Sequence, residues 1–194
     1  MVAGARPSFT PSVSRLIDRI DAAVQLGNIE KITSRIKNDL ENQSRAEPLR
    51  LPEAVTRPCE DCYARRLLHR NPELGYTVVV MVWGPGQRTQ LHDHAGIWCV
   101  ECVVEGQIDV TRYDLRDETD GRCLFDEKDT VRAGVGDAGR LIPPFEYHVI
   151  ANGLADSPSI SLHVYGGEME HCNLYVPLAD GSWERTSREL TYTH

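Results

Sequence analysis

Gly86-Gln87-Arg88-Thr89-Gln90-Leu91-His92-Asp93-His94 is the stretch on which the fold turns. On a strand, residues two apart project from the same face, so His92 and His94 can reach one ion from one side. Gly106 follows after one more strand-like run. His148 offers a third imidazole from a later strand, with Asn152 four residues beyond it. The spacing predicts a small β-barrel whose interior carries one metal ion on His92, His94 and His148. Taken singly, these could be exposed strand histidines and a turn histidine; the combined spacing argues against that.

The barrel reading extends outward from this stretch. From about residue 62 the chain runs in short β-branched and aromatic segments, YTVVVMVW, WCVECVVEG, QIDVTRYDL, RLIP, YHVIA and SISLHVYG, broken by Gly, Pro, Asn and Asp. That texture marks many short antiparallel strands, roughly ten of them, for which a closed barrel or two-sheet jelly roll removes exposed edges. Before them, Val13, Leu16, Ile17, Ile20, Ala23 and Val24 recur at helical spacing, with Ser12 as the start and Gly27-Asn28 as the end. A second helix would turn Ile29, Ile32, Ile36 and Leu40 inward. The expected organisation is a flexible tail over 1–11, a helical segment over 12–60 packed on the barrel, and the barrel itself over 61–194, all in one structural domain.

At 194 residues with 41% hydrophobic and 26% charged, the chain suits one well-buried core. The net charge of -8, with basic residues scattered, offers no cationic face for nucleic acid or anionic lipid. No run approaches the roughly 20 apolar residues of a membrane span, and MVAGARPSFTPSVSRLIDRI lacks the apolar core of an export signal. A cytoplasmic address and reduced cysteines are the expectation. Cys59-x-x-Cys62 with Cys99-x-x-Cys102 could be taken for a zinc ribbon. However, 36 residues separate the pairs, and Cys99 and Cys102, three apart on an apolar strand, face oppositely.

The layout resembles the two motifs of the cupin superfamily, over about residues 83 to 166. A Gly stands before His-x-His with five residues between, and Pro143, Pro144, His148 and Asn152 match the second motif, with Phe145 or Glu146 where a Gly is usual. Many cupins place a Glu ligand where this chain has Trp98 or Cys99. With three neutral imidazoles instead, a divalent ion keeps its full charge and adjacent open positions, which an anionic chelating thiolate can fill while leaving room for dioxygen.

The sequence accordingly resembles the cysteine dioxygenases and related thiol dioxygenases. The resemblance rests on Trp83-Gly84-x-Gly86, His92-Asp93-His94, Cys99, Gly106, His148 and Ser161-Leu162-His163-Val164-Tyr165. It implies one Fe(II) per chain, a Cys99–Tyr165 thioether cross-link, and a relay in which His163 and Ser161 stand behind Tyr165. Ser161, His163 and Tyr165 alternate and so share one face, a row able to orient a hydroxyl and move a proton. Tyr63-Ala64-Arg65 resembles the strand that grips the substrate carboxylate, a task suited to a planar guanidinium. Arg66 is the adjacent rival, pointing the other way.

Cys99 and Arg65 favour L-cysteine, converted to cysteine sulfinic acid. Trp83-Gly84-Pro85-Gly86-Gln87 and His163-Val164-Tyr165-Gly166 are as similar to the 3-mercaptopropionate enzymes, and mercaptosuccinate is a further alternative. The implied partners are a small thiol and dioxygen, with a monomer expected. Two other readings compete. In one, Glu101 is a fourth ligand and the cupin is an isomerase or carbon-cleaving dioxygenase; in the other, the chain is a non-catalytic cupin binding module. His171 and Cys172 follow the relay strand and could line the entrance.

Overall fold

A computed structural model of the chain describes residues 9–194. Helix α1 (Pro11–Val24) begins one residue ahead of the expected Ser12 start. The Thr10 hydroxyl accepts from the Val13 N–H, and Pro11, whose missing N–H costs nothing in a first turn, opens the helix. Ser12 is buried, and its hydroxyl accepts from the Arg50 N–H at 3.1 Å. The expected tail therefore ends before Thr10, and its residues 1–8 lie outside the described part. Asn28, read as a helix end, instead caps α2 (Ile29–Ala46) by accepting from the Lys31 N–H. Ile32, Ile36 and Leu40 face inward as expected. Ile29 does not: it is 47% exposed, because the buried stripe of α2 begins only at Ile32. Between Ala46 and the strands the chain is helical for one turn only, α3 (Glu53–Thr56). Among the described residues, no helix is long and apolar enough to cross a membrane.

Eleven strands follow among the described residues: β1 (Ala64–Asn71), β2 (Tyr76–Trp83), β3 (Leu91–His92), β4 (Cys99–Glu105), β5 (Gln107–Thr119), β6 (Arg122–Gly134), β7 (Ala138–Leu141), β8 (His148–Asn152), β9 (Ser159–Tyr165), β10 (His171–Pro177) and β11 (Trp183–Glu189). They form one antiparallel sheet in the order β1-β2-β9-β4-β7 and a second set, β10-β11-β6-β5-β8-β3, closed by β3 pairing with both β8 and β10. The β5–β6 hairpin turns on Asp120-Gly121, both at positive φ, the geometry whose twist matches the flanking strands.

The first sheet is apolar on both faces because both are covered. Val78, Val80 and Val82 of β2, with Leu162 and Val164 of β9, pack against α1 and α2. Val79, Met81 and Trp83, with Cys99 and Tyr165, turn into the barrel. On β9 the two parities differ in chemistry: Ile160, Leu162 and Val164 meet the helices, whereas Ser159, Ser161, His163 and Tyr165 form the buried interior row. Polar groups placed inside a barrel need partners, and those partners define the site.

Candidate metal centre and substrate pocket

Register brings the three histidines together. His92 on β3 stands directly opposite His148 on β8, and one ring nitrogen from each of His92, His94 and His148 lies within 4.8 Å of the others. His94 is not on the strand: β3 ends at His92, and the chain turns through Ala95 and Gly96, both at positive φ. What holds His94 in place is Asp93. This buried carboxylate accepts from the Ala95 N–H (3.1 Å), the Asn173 N–H (2.9 Å), Asn173 Nδ2 (2.7 Å) and the Tyr175 hydroxyl (3.0 Å). Burial pushes its carboxyl upward, but the hydrogen bonds from Asn173, Ala95 and Tyr175 outweigh that and leave it below the ordinary value.

The outer nitrogens of two of the imidazoles are occupied. His92 Nδ1 lies 3.0 Å from the Gln90 carbonyl, and His94 Nδ1 lies 3.2 Å from Glu146 Oε2, which also accepts from the His94 backbone N–H at 2.8 Å. With each Nδ1 donating outward, the Nε2 lone pairs of His92 and His94 are left for the centre. His92 Nε2 and His148 Nε2 are 3.2 Å apart. Burial, ahead of the neighbouring imidazoles, holds His92 down at about 3 and His148 well below its ordinary value, so both stay in the neutral form that binds a metal. The residues present therefore fit a divalent ion, held by three imidazoles of which two have their outer nitrogens oriented, by a carbonyl and a carboxylate, while the buried Nδ1 of His148 has no hydrogen-bond partner among the described residues.

A cavity of about 690 Å³ opens over this cluster, lined by the three histidines together with Arg65, Tyr63, Met81, Tyr165 and Cys172. Arg65 is 6% exposed; its Nη2 donates to the Met169 carbonyl at 2.8 Å, and its guanidinium sits 4.7 Å from the Tyr192 ring centroid. Among the described residues, no carboxylate forms an ion pair with it. Arg66 points to the opposite side of β1 and donates to the Arg57 carbonyl, away from the cavity. Tyr63 stacks on Trp83 at 4.7 Å and forms part of the wall. Arg188 of β11 brings a second guanidinium to the mouth.

On β9, Trp83 Nε1–H donates to Ser161 Oγ (2.9 Å), which lies 2.8 Å from His163 Nε2. Tyr165 stands opposite Cys99 in the register; burial raises both groups well above their ordinary values. The expected row exists with one difference. His163 and Tyr165 meet ring on ring, 6.0 Å between centroids, so the hydrogen bonds of His163 run back to Ser161 rather than forward to the phenol. Alternate residues on a strand lie parallel, which brings ring faces together rather than edges.

The model of the family "Cysteine dioxygenase type I" matches residues 59–177. The chain belongs to this family. Within it, similarity to the curated cysteine dioxygenase type 1 of Rattus norvegicus and of Mus musculus is 21% identity over 100 residues, 52% of this chain. The chain spans about half the length of those relatives (49%). Among solved structures, it is similar to an uncharacterized conserved protein with a double-stranded β-helix domain from Klebsiella pneumoniae (19% identity, 60% of this chain and 88% of that one, TM-score 0.47). It is also similar to a cupin 2 conserved barrel domain protein from Rhodopseudomonas palustris (18% identity, 65% and 76%, TM-score 0.45). The fold is mainly β, a closed barrel and a five-stranded sheet with a small N-terminal helical segment.

For this cysteine dioxygenase family member, two other sequence expectations meet the structure. Glu101, a candidate fourth ligand, is not in the metal cluster; its carboxylate lies 3.7 Å from His163 Nδ1. Asn152 serves the barrel rather than the metal: its amide donates to the Trp83 and Ser157 carbonyls, and its oxygen accepts from the Leu154 N–H. His171 is exposed, while Cys172 is buried and lines the cavity. Glu146 and Arg188 were not singled out for a role. Glu146 was legible only as a departure from the cupin motif, and Arg188 sits in a strand of alternating charge that gives no signal.

Proposed function

We propose that this chain is a thiol dioxygenase that adds both atoms of dioxygen to the sulfur of a small carboxylate-bearing thiol, with L-cysteine the foremost candidate and cysteine sulfinic acid its product. The observation that carries the reading is Arg65, a buried guanidinium with no carboxylate partner among the described residues, lining the same cavity as the three histidines. A buried cation of this kind calls for an anionic ligand, and its fork of N–H donors suits a carboxylate. His92, His94 and His148 would hold the metal, for which we propose Fe(II); when bound, it supplies the centre for thiolate binding and dioxygen activation.

The chain's own residues set the rest. Arg65 fixes the carboxylate end of the thiol, while Tyr63 and Met81 wall the cavity. Conversion of a thiol to a sulfinate releases one proton, and the Tyr165 phenol, opposite Cys99 in the sheet and packed on His163, is the hydroxyl of the row that lines the substrate cavity and is able to hold or pass it. A Cys99–Tyr165 thioether would stiffen that phenol; its formation removes two hydrogen atoms, with dioxygen as oxidant. We further propose that the protein acts as a cytoplasmic monomer on a small thiol and dioxygen, without nucleic acid or membrane.

Arg188 at the mouth supports a second reading, since two guanidinium groups suit a dicarboxylate such as mercaptosuccinate. Selectivity separates the two. With L-cysteine as substrate, Arg65→Gln raises KM by roughly 10–100-fold, the loss of about 1.5–3 kcal/mol of charge-assisted bonding, and Arg188→Gln changes little. An Arg65→Gln protein with unaltered KM for every carboxylate thiol contradicts the assignment.

A further inference from the structure

A second cavity, of about 330 Å³, lies behind the relay, and Glu101, Ser161 and His163 share its wall. We propose that Glu101 is a positioning residue of the relay: its carboxylate takes the Nδ1–H of His163 and joins the relay to solvent through this second cavity rather than through the substrate pocket. The proposal rests on the reading of Tyr165 and His163 as the proton-handling side of the site.

The hydrogen-bond chain biases the position of the His163 proton, and the acceptor facing the ring's other nitrogen completes the choice. Trp83 Nε1–H can only donate, so Ser161 Oγ accepts from it at 2.9 Å. The Ser161 hydroxyl is buried, and the acceptor beside it is His163 Nε2 at 2.8 Å. A Ser161 hydroxyl that donates to Nε2 leaves the neutral ring protonated on Nδ1. Two acceptors face that nitrogen: Cys99 Sγ at 4.0 Å, a weak one, and Glu101 Oε2 at 3.7 Å. Glu101 Oε2 is otherwise a buried oxygen with no partner.

At 3.7 Å the contact is longer than a hydrogen bond, and the adjoining cavity gives room for the side chain to turn or for one water to bridge. β4 and β9 hold the pair in register, Glu101 directly opposite His163. Desolvation also raises the Glu101 carboxyl to about 7, so it exchanges its proton near neutral pH, whereas burial keeps His163 neutral down to about 3. The other titratable or charged groups facing this carboxylate are Arg112 of β5, Asp137 just before β7 and Arg140 within it, Tyr165 of β9, and Cys99 and Cys102 of its own strand.

The test is ¹⁵N NMR of histidine-labelled protein, metal-free and Zn(II)-loaded, for wild type, Glu101→Gln and Glu101→Leu, with the pH profile of turnover measured alongside. His163 is expected as the Nδ1–H tautomer in wild type and in Glu101→Gln, which keeps an acceptor, and as a mixture in Glu101→Leu. Turnover is expected to fall roughly tenfold in Glu101→Leu with the thiol KM unchanged, and the inflection near pH 7 to vanish in both variants. An Nε2–H His163 in wild type, or a Glu101→Leu protein with the wild-type tautomer and pH profile, overturns the proposal. Should Glu101→Leu not fold, the wild-type tautomer and the pH profile of Glu101→Gln still decide. If no thiol is turned over, the proposed function fails, while the tautomer measurement judges Glu101 independently.

Discussion

Replacing Asp93 by alanine removes the anchor of the His92–His94 turn, and its cost can be worked from the contacts. Four donors lose their acceptor: the Ala95 and Asn173 N–H groups, the Asn173 amide and the Tyr175 hydroxyl. Tyr175 is 3% exposed and has no easy route to water, while Ala95 and Asn173 are half-buried. Leaving a buried donor unsatisfied costs about 1–3 kcal/mol, so with two of the four recovering water the loss is about 3 kcal/mol. For a chain of this size that lowers Tm by roughly 6–12 °C, readable by circular dichroism on the metal-free protein. Because the same carboxylate orients the turn carrying two ligands, metal affinity should fall about 10–100-fold, measured by competition with a chelator. Asp93→Asn keeps one acceptor oxygen and should fall between wild type and alanine. An Asp93→Ala protein that melts within about 2 °C of wild type and keeps its metal affinity would refute the reasoning.

Glu146→Ala removes the acceptor for both the backbone and ring N–H of His94, so metal affinity should drop about 10-fold or more, with Glu146→Gln intermediate; equilibrium dialysis reads this directly. Stability of the metal-free protein should decline as pH falls below about 6.5, since His92, His148 and His163 take up protons there when unfolded while the buried rings do not; His163→Gln should lessen that decline, without abolishing it, in urea titrations between about pH 6.5 and 4. Gly166→Ala would put a Cβ 2.2 Å from Trp98 Nε1, so a loss of about 1–3 kcal/mol is expected in a thermal melt. Intact-mass analysis of protein purified with iron should reveal a species lighter by two hydrogen atoms that is absent from Cys99→Ser.

The barrel and its ligands were legible because they rest on periodicity. The β-branched run of β2 and the alternation on β9 mark strands whatever the packing; the two histidines two residues apart do meet, but through the turn after β3 and not as neighbours on one strand face. Glu146 was not legible, because a carboxylate two residues before His148 reads as a motif departure until the fold lays it against His94. Arg65 and Arg66 are adjacent, and only the pairing of β1 with β2 decides which one enters the cavity. Glu101 shares the parity of Cys99 on β4; what parity does not give is depth along the barrel, which sets it beside His163 instead of the metal ligands. Thr10 displaces Ser12 as the cap because both are good capping residues two positions apart, and the proline between them favours the earlier start.

The most direct measurement is oxygen uptake by Fe(II)-reconstituted protein with L-cysteine, 3-mercaptopropionate and mercaptosuccinate side by side, using His148→Ala as the metal-free control. One dioxygen consumed per sulfinate formed, fastest with L-cysteine and absent from the control, is the predicted result. No uptake with any of the three thiols, in protein shown to hold iron on its three histidines, would contradict it.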